Sequence, residues 1–423
     1  MAALDVSWDA LADENSASGA RARPVSSDPE APLDDLVDVL SQACGATVVG
    51  LGTSCRGANE LWAHQHRALR HLVVYGGFRS LALEEDWTLC LQLDEYVRTG
   101  VGDIHELMAT ARSLWSTREL LHTLSWIRVW NEAHPHDLVH VFGLNADSTR
   151  TVAYEDVARY ADAVAKPAQR EHIVQVLKLL DPGSDIAAHI WRYRSLAPEG
   201  RAELLRAARG LHTMVAELGP HPLSAYALRQ CDAITDFHEY HDRVPADVLA
   251  YAAPRIARDL VWWHKYTGHK IVYWGGIAHT VNASERALSK PMLLQRSTGS
   301  WLREHFADAY VSIGLTFGCG DVPQRIPPPL AGLLEASLET LSAAHSFALA
   351  GSCLGSRPAI VRIVGPDYST ENNPDCIASG GTLEEWFDLV IHTRRVTPAA
   401  PLRAEESPSS AARKNWRDLE EQR

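Results

Sequence analysis

The seven cysteines of this 423-residue chain include no CxxC pair, and their number is odd. This pattern is typical neither of a disulfide framework nor of a structural zinc site. The first residues contain no basic stretch followed by an apolar one, and no apolar run approaches the roughly 20 residues of a membrane span. We therefore expect a reduced, cytoplasmic protein with no membrane partner.

Positive charge is also scarce, since 53 acidic residues outnumber 40 basic ones and give a net charge of −13. That balance argues against a nucleic-acid partner, which would favour a basic face. The motifs GxGxxG, GxxxxGK[ST] and GxSxG are absent too. A dinucleotide site, a nucleotide triphosphate site and a serine elbow are therefore not indicated, and we expect no cofactor.

Twenty histidines suggest a metal site, but their spacing does not support one. His238 and His241 would lie at i and i+3 on a helix, without HExxH spacing or a nearby cysteine. We interpret them as surface helix residues and predict no metal ligands.

Short apolar runs separated by long helical patterns indicate an α/β fold: a central, mostly parallel sheet flanked by helices. The predicted strands are 48–52, 80–84, 138–143, 270–274, 310–315, 360–363 and 387–391. A large helical insertion is predicted at about 151–268, with breaks at 181–183 and 219–222. The composition predicts a disordered arm over 1–32, an α/β domain over 33–398 and a flexible charged tail over 399–423.

Polar residues follow three of these strands, at the edge where parallel sheets bind ligands. The segments are Thr53–Gly57, Glu84–Asp86 and Gly275–His279. If the predicted fold is right, they converge on one cleft.

The first segment contains a candidate nucleophile, Cys55. A helix amino terminus and the neighbouring Arg56 would both lower the pKa of its thiol. The alternative is a small buried residue in a tight turn, because a free cysteine is usually part of the core.

The second and third segments supply candidates for proton transfer. Burial of Glu84 would raise the pKa of its carboxyl and suit it to general-base work, with Glu85 on the other face of the strand. Asp86 is expected to cap the following helix. His279 follows a glycine pair at a strand end, so it is either catalytic or structural.

These segments together resemble the erythromycin esterase family over about 35–398. Residues 49–61 are similar to the signature LGExxHGxxEF, and 77–84 to GFxxxAxE. Trp115–Glu119 with Trp126, Arg128 and Asn131 resembles WxxxE…WxRxxN, and 274–279 resembles WxHNxH. Residues 314–320, Phe387-Asp388 and Thr397-Pro398 match later landmarks, so five signals occur in the family's order.

The resemblance implies an α/β core with a helical insertion, and ester hydrolysis without a metal. The family positions a water at a lactone carbonyl with histidine, glutamate and arginine side chains. Here Glu84 and His279 stand at the matching positions. Five other family positions are altered. The first-loop glutamate appears as Thr53 and the water-activating histidine as Arg56. The helix arginine appears as Gln65, the first of the two later histidines as Gly276, and an aspartate after the third strand as Asn145. An arginine cannot replace a general base, because its pKa exceeds 12.

Two main hypotheses remain open, beside a weaker third in which histidines of the helical insertion hold a catalytic metal. In the first, the chain is a repurposed enzyme of secondary metabolism that acts on a bulky, partly apolar metabolite, either polyketide-like or another secondary metabolite. Hydrolysis, elimination, cyclisation or acyl transfer would then depend on Glu84, His279, Cys55 and Arg56. Thr53, Ser54, Gln65, Glu85, Asn145 and Gly276 would contact the substrate. In the second, the chain binds a metabolite without catalysis, as a chaperone or immunity factor. The sequence does not indicate an oligomeric state.

Overall fold

The computed structural model of the chain describes residues 22–243, 245–288, 293–365 and 368–402. It divides into two compact units. The first contains the residues up to Leu83, Ser116–His140 and Ala253–Pro401. The second contains Glu84–Trp115, Val141–Ala252 and the residues from Leu402 onward.

A mixed, mostly parallel sheet forms the centre of the first unit. Its strands follow the order β1-β10-β13-β8-β2-β5-β3, and β9 pairs with β8. The bounds are β1 Arg23–Pro24, β2 Val48–Thr53, β3 Phe78–Asp86, β5 Lys270–Gly276, β8 Tyr310–Val322, β9 Gln324–Ile326, β10 Ser346–Ala350 and β13 Leu389–Val396. The last three residues of β3 belong to the second unit, as does most of β4, His140–Asn145.

The central strands run parallel: β13 beside β8, β8 beside β2, β2 beside β5 and β5 beside β3. All six residues of β2 are buried. Parallel strands covered on both faces have such continuous apolar sequences, which is why the sequence predicts these strands well. The predicted α/β class is confirmed.

A second, antiparallel sheet of four short strands belongs to the first unit, in the order β11-β12-β6-β7. The bounds are β6 Arg286–Leu288, β7 Leu293–Gln295, β11 Pro358–Arg362 and β12 Ile377–Thr382. The sequence predicts a strand over 360–363 but does not assign it to a separate sheet. Three-residue strands such as β6 are too short for a periodic signal.

The helices that begin in the first unit are α1 Ser41–Cys44, α2 Asn59–Gly76, α5 Arg118–Ala133, α12 Ile277–Thr280, α13 Thr298–Phe306, α14 Leu334–Leu341 and α15 Leu383–Trp386. Helix α2 ends at Gly77, whose φ of 71° places it in the left-handed region that glycine adopts at low cost. The helical spacing of Trp62, Leu69 and Leu72 predicts one buried face for α2, with His64 pointing away from it. His64 is instead 1% exposed, and its Nε2 lies 3.0 Å from the Thr393 hydroxyl.

The second unit is dominated by helices, as predicted for 151–268. Its helices are α3 Trp87–Thr99, α4 Ile104–Ala109, α6 Thr151–Val164, α7 Pro167–Leu180, α8 Ile186–Arg194, α9 Pro198–Ala216 and α10 Ser224–His241, and α11 Pro245–Thr267 continues into the first unit. Helices α6, α7, α9 and α10 share one apolar core that includes Val157, Leu177, Leu211 and Ile234. The predicted break at 181–183 lies between α7 and α8, and the one at 219–222 lies between α9 and α10.

The described residues of the predicted arm, 22–32, differ from the prediction. Val25 is buried, and its N–H donates to the Ser346 carbonyl at 3.0 Å. Arg67 of α2 donates to the carbonyls of Ser26 and Pro32. The segment is therefore packed on the first unit, because buried backbone partners offset its lack of periodicity. Residues 1–21 lie outside the described residues.

The predicted tail also begins later than expected. Ala399 donates its N–H to the Gly57 carbonyl, and Ala400 donates to Glu119 Oε1 at 2.8 Å. Residues 403–423 lie outside the described residues. No helix in the described part of the chain is long and apolar enough to cross a membrane.

Candidate functional site

The carboxyl ends of β2 and β5 lie side by side in the first unit. Their parallel register pairs Gly52 with Gly275 and Thr53 with Gly276. Two of the three polar segments predicted from the sequence therefore meet at one edge of the sheet, where such sheets bind ligands.

Arg56 and His279 flank Gly276 at this edge. A Cβ built on Gly276 would lie 3.6 Å from His279 Cδ2 and 3.7 Å from Arg56 Nη2. Both side chains belong to half-buried residues, so solvent and ligands can reach them. A guanidinium and an imidazole thus approach one point from two sides, with no side chain between them at position 276.

Two hydroxyl groups at the end of β2 are buried without a partner among the residues that the structure describes. They are Thr53 Oγ1 and Ser54 Oγ, on residues 5% and 3% exposed. The backbone of Ser54 is already paired, since its N–H donates to Leu315 and its carbonyl accepts from Val364. Buried polar groups are rarely left unpaired, so these hydroxyls are suited to hold the polar atoms of a ligand or of water.

Gln65, at a position where the resemblance implies an arginine, is fixed by the sheet. Its Nε2 donates to the Leu51 carbonyl at 3.1 Å, and the residue is 4% exposed. An amide anchored this way supports β2 and adds no positive charge to the site.

Cys55 is buried, and desolvation raises the pKa of its thiol to about 12. The Gly57 N–H donates to its Sγ at 3.3 Å, and both that bond and the charge of Arg56 only partly oppose the effect of burial. At neutral pH the group is a thiol, whereas a nucleophilic cysteine must be a thiolate. This geometry favours the structural interpretation of Cys55.

Two glycines in β2 bring α12, which contains His279, close to the strand. A Cβ on Gly52 would lie 1.9 Å from Thr280 Oγ1 and 2.8 Å from Ile277 Cα, and one on Gly50 would lie 3.2 Å from Thr280 Cβ. All three distances are shorter than an ordinary van der Waals contact. The position of His279 therefore depends on the absence of side chains at these two strand positions.

In the second unit, Asp86 caps α3 as the sequence predicts. Its Oδ1 accepts from the Thr88 N–H at 2.8 Å, and its Oδ2 accepts from Arg150 Nε at 2.9 Å. A buried carboxylate is stabilised by this combination of a cap and an ion pair.

Glu84 and Glu85 surround Arg112 in the same unit. The Arg112 guanidinium donates to the Glu84 carbonyl, and the Arg112 backbone N–H donates to Glu85 Oε2 at 3.0 Å. Burial raises the pKa of the Glu85 carboxyl, and the charge of Arg112 opposes this rise. Glu85 is thus a structural partner of Arg112, while Asn145 is a half-buried residue at the end of β4.

Arg112 and Arg150 were not identified from the sequence. Arg112 interacts with Glu85 and with Asp147, which lies 3.7 Å away. No local spacing connects residues separated by 27 and 35 positions, so only the fold reveals these pairs.

The prediction that His238 and His241 are surface residues is wrong. They are 1% and 9% exposed, and burial lowers the pKa of His238 to about 4. His241 Nε2 lies 2.7 Å from the Asp147 carbonyl. The spacing of residues along α10 does not reveal that other segments cover the face that carries both histidines. Within the described ranges, one group has the spacing of metal ligands, Glu30 with His66 and His122, and it lies outside the strand-end segments.

Comparisons with known proteins identify the same fold. The family model described as erythromycin esterase matches residues 73–396. A solved structure of a protein from Bacillus cereus is 21% identical with a TM-score of 0.81, covering 94% of this chain and 100% of that one. A succinoglycan biosynthesis protein is 20% identical with a TM-score of 0.74, covering 90% and 96%.

A mutant of the erythromycin esterase EreC in its open conformation is 14% identical, with a TM-score of 0.67, covering 89% of this chain and 98% of that one. At these identities the likeness shows the fold alone. A search of curated protein sequences found no significant match.

Proposed function

The chain belongs to the erythromycin esterase family, and we propose that it is an enzyme of secondary metabolism acting on a bulky, partly apolar, polyketide-like ester or lactone. The reaction is hydrolysis or a non-hydrolytic step on the same carbonyl-bearing group. The observation that carries the proposal is the approach of Arg56 and His279 to one point beside Gly276.

Arg56 supplies a fixed positive charge in this scheme. Its guanidinium cannot accept a proton at neutral pH, so it stabilises an oxyanion or clamps a carboxylate. The buried hydroxyls of Thr53 and Ser54 donate hydrogen bonds to the carbonyl or ester oxygens of the substrate.

His279 moves the proton. In the hydrolytic form, it accepts a proton from water while the water oxygen attacks the carbonyl carbon. The acyl–oxygen bond then breaks, and the departing alkoxide takes the proton from His279. No external oxidant, reductant or metal is required for this balance.

Glu84 remains a sequence-based candidate for proton transfer. The structure shows its backbone carbonyl bound to Arg112 and its side chain on a residue 7% exposed. Glu84→Gln keeps the shape and removes the titration, so it tests the carboxyl and leaves in place the backbone carbonyl that binds Arg112.

A second candidate function is metabolite binding without turnover. It is favoured by the arginine at the family's water-activating position and by the protonated thiol beside it. A chaperone or immunity factor would need only the contacts of Arg56, Thr53 and Ser54 with the metabolite, without proton transfer by His279.

The two functions are separated by incubating the protein with a panel of macrolide lactones and smaller esters and following products by mass spectrometry. We expect turnover that falls by about 10²- to 10⁴-fold in His279→Asn, the range for loss of a general base. Arg56→Gln should also reduce turnover, whereas His305→Asn, at an exposed histidine on α13, should not.

Tight binding of a panel member with no product would support the binding function instead. Full turnover in both His279→Asn and Arg56→Gln would refute the site itself.

A further inference from the structure

Three side chains with metal-ligating atoms meet in the first unit, away from the strand-end segments. Glu30 follows β1, His66 lies on α2 and His122 on α5. One ligand atom from each lies within 4.8 Å of the other two.

His66 is held in the form that a metal requires. Its Nδ1 lies 3.1 Å from Thr123 Oγ1, and that hydroxyl donates its own proton to the Glu119 carbonyl at 3.1 Å. Thr123 must therefore accept from His66 Nδ1–H, which leaves the lone pair on Nε2. A hydrogen bond from the second ring nitrogen is the usual way in which proteins orient a metal-bound histidine.

The Nε2 atom of His66 is buried and has no hydrogen-bond partner among the described residues. The residue as a whole is only 2% exposed. A buried, unpaired lone pair is unfavourable unless a ligand occupies it.

The other two members are positioned by the same helices. His122 Nε2 lies 2.8 Å from Glu30 Oε1. Arg70 of α2 donates to the Pro29 carbonyl at 2.6 Å, and Arg67 donates to the Pro32 carbonyl at 2.5 Å. The backbone on both sides of Glu30 is thus fixed to the helix that contains His66.

A pocket of about 210 Å³ adjoins the cluster. Its lining includes Trp62, His66, Arg118, Glu119 and His122. Glu119 adds a carboxylate oxygen, Oε2, that is buried with no partner in the described part of the chain. The pocket has room for a water molecule beside the cluster.

We propose that Glu30, His66 and His122 bind a divalent transition metal ion of the zinc type, with a water from the pocket as fourth ligand. Two imidazoles and a carboxylate suit Zn²⁺, and ligand bonds of about 2.0–2.2 Å require ligand atoms roughly 3.3 Å apart. The contact between His122 and Glu30, now 2.8 Å, then lengthens slightly, and no other separation of ligand atoms has to shorten by more than about 1.5 Å, which side-chain rotation allows. The ion fastens the segment after β1 to α2 and α5.

The test is zinc binding by the full chain, without an affinity tag that contains histidines. Isothermal titration with Zn²⁺ should show one equivalent bound and a rise in thermal midpoint. His122→Ala and Glu30→Gln, both at exposed residues, should weaken binding strongly without changing the circular dichroism of the metal-free protein. Thr123→Val, which removes only the partner of His66 Nδ1, should weaken it by about 10- to 100-fold.

The matched control is His212→Ala. His212 forms a similar exposed contact with Asp232, at 3.4 Å, but lacks a third ligand. Its removal should leave the stoichiometry and the affinity unchanged. Substoichiometric binding by the wild type, or equal affinity in wild type, His122→Ala and Glu30→Gln, would overturn the proposal.

Discussion

Glu335 offers a quantitative test of the electrostatics of the first unit. It lies on α14 and is fully buried. Its Oε1 accepts from the Arg362 N–H at 3.0 Å, and its Oε2 has no partner among the described residues. Burial raises the pKa of this carboxyl from 4.5 to about 7, although the charge of Arg362 opposes the rise.

The sign of the effect on stability follows from proton binding. Between pH 4.5 and about pH 7 the folded carboxyl holds a proton that the unfolded one has lost. Stability is therefore lost as the pH rises through this interval. A difference of about 2.5 pKa units corresponds to about 3 kcal/mol.

We expect Glu335→Gln to remove this loss, because the amide matches the protonated carboxyl in shape and stays neutral. The free energy of unfolding of the variant, relative to wild type, should rise by about 2–3 kcal/mol between about pH 5 and about pH 8. Urea unfolding followed by tryptophan fluorescence measures this difference. Glu371→Gln, at an exposed position, serves as the control and should show no such dependence. An identical relative stability at both pH values would refute the reasoning.

Three further predictions address other parts of the chain. Gly299→Ala places a Cβ 2.1 Å from the Thr280 carbonyl, so we expect a loss of about 1–3 kcal/mol in urea unfolding. Asp86→Ala removes a helix cap and leaves Arg150 without its 2.9 Å carboxylate partner, which should cost about 3–5 kcal/mol in the same assay. Cys55 should resist iodoacetamide in the native protein, as judged by peptide mass spectrometry, and react once the protein is unfolded; rapid native labelling would contradict the raised pKa of its thiol.

The central parallel strands were predictable because they are short, apolar and separated by long helical patterns, whereas β1, β9 and β10 of the same sheet were not predicted. Val48–Thr53 and Lys270–Gly276 agree with the predicted strands within two residues, and their parallel pairing follows from the connecting helices. The helical region was equally clear. The small antiparallel sheet was not, since β6 and β7 have only three residues each.

The candidate site was predictable as a set of positions and not as a set of interactions. Thr53 and Gly276 lie side by side as expected from parallel strands. The partners of Glu85 and Asp86, in contrast, come from 27 and 64 positions away, and no local pattern encodes them. His66 illustrates the same limit, because its partner Thr123 lies on another helix.

The two glycines of β2, Gly50 and Gly52, restrict which substitutions this protein can accept. Gly50 and Gly52 set how closely α12 packs on the strand. A side chain at either position would displace Thr280, which directly follows His279 in the chain, so His279 would move although neither glycine takes part in the proposed reaction. A mutagenesis screen for the proposed activity should therefore detect these two positions of β2, although their substitution acts through packing alone. Two residues with no side chain are thus constrained by packing as tightly as a residue is constrained by chemistry.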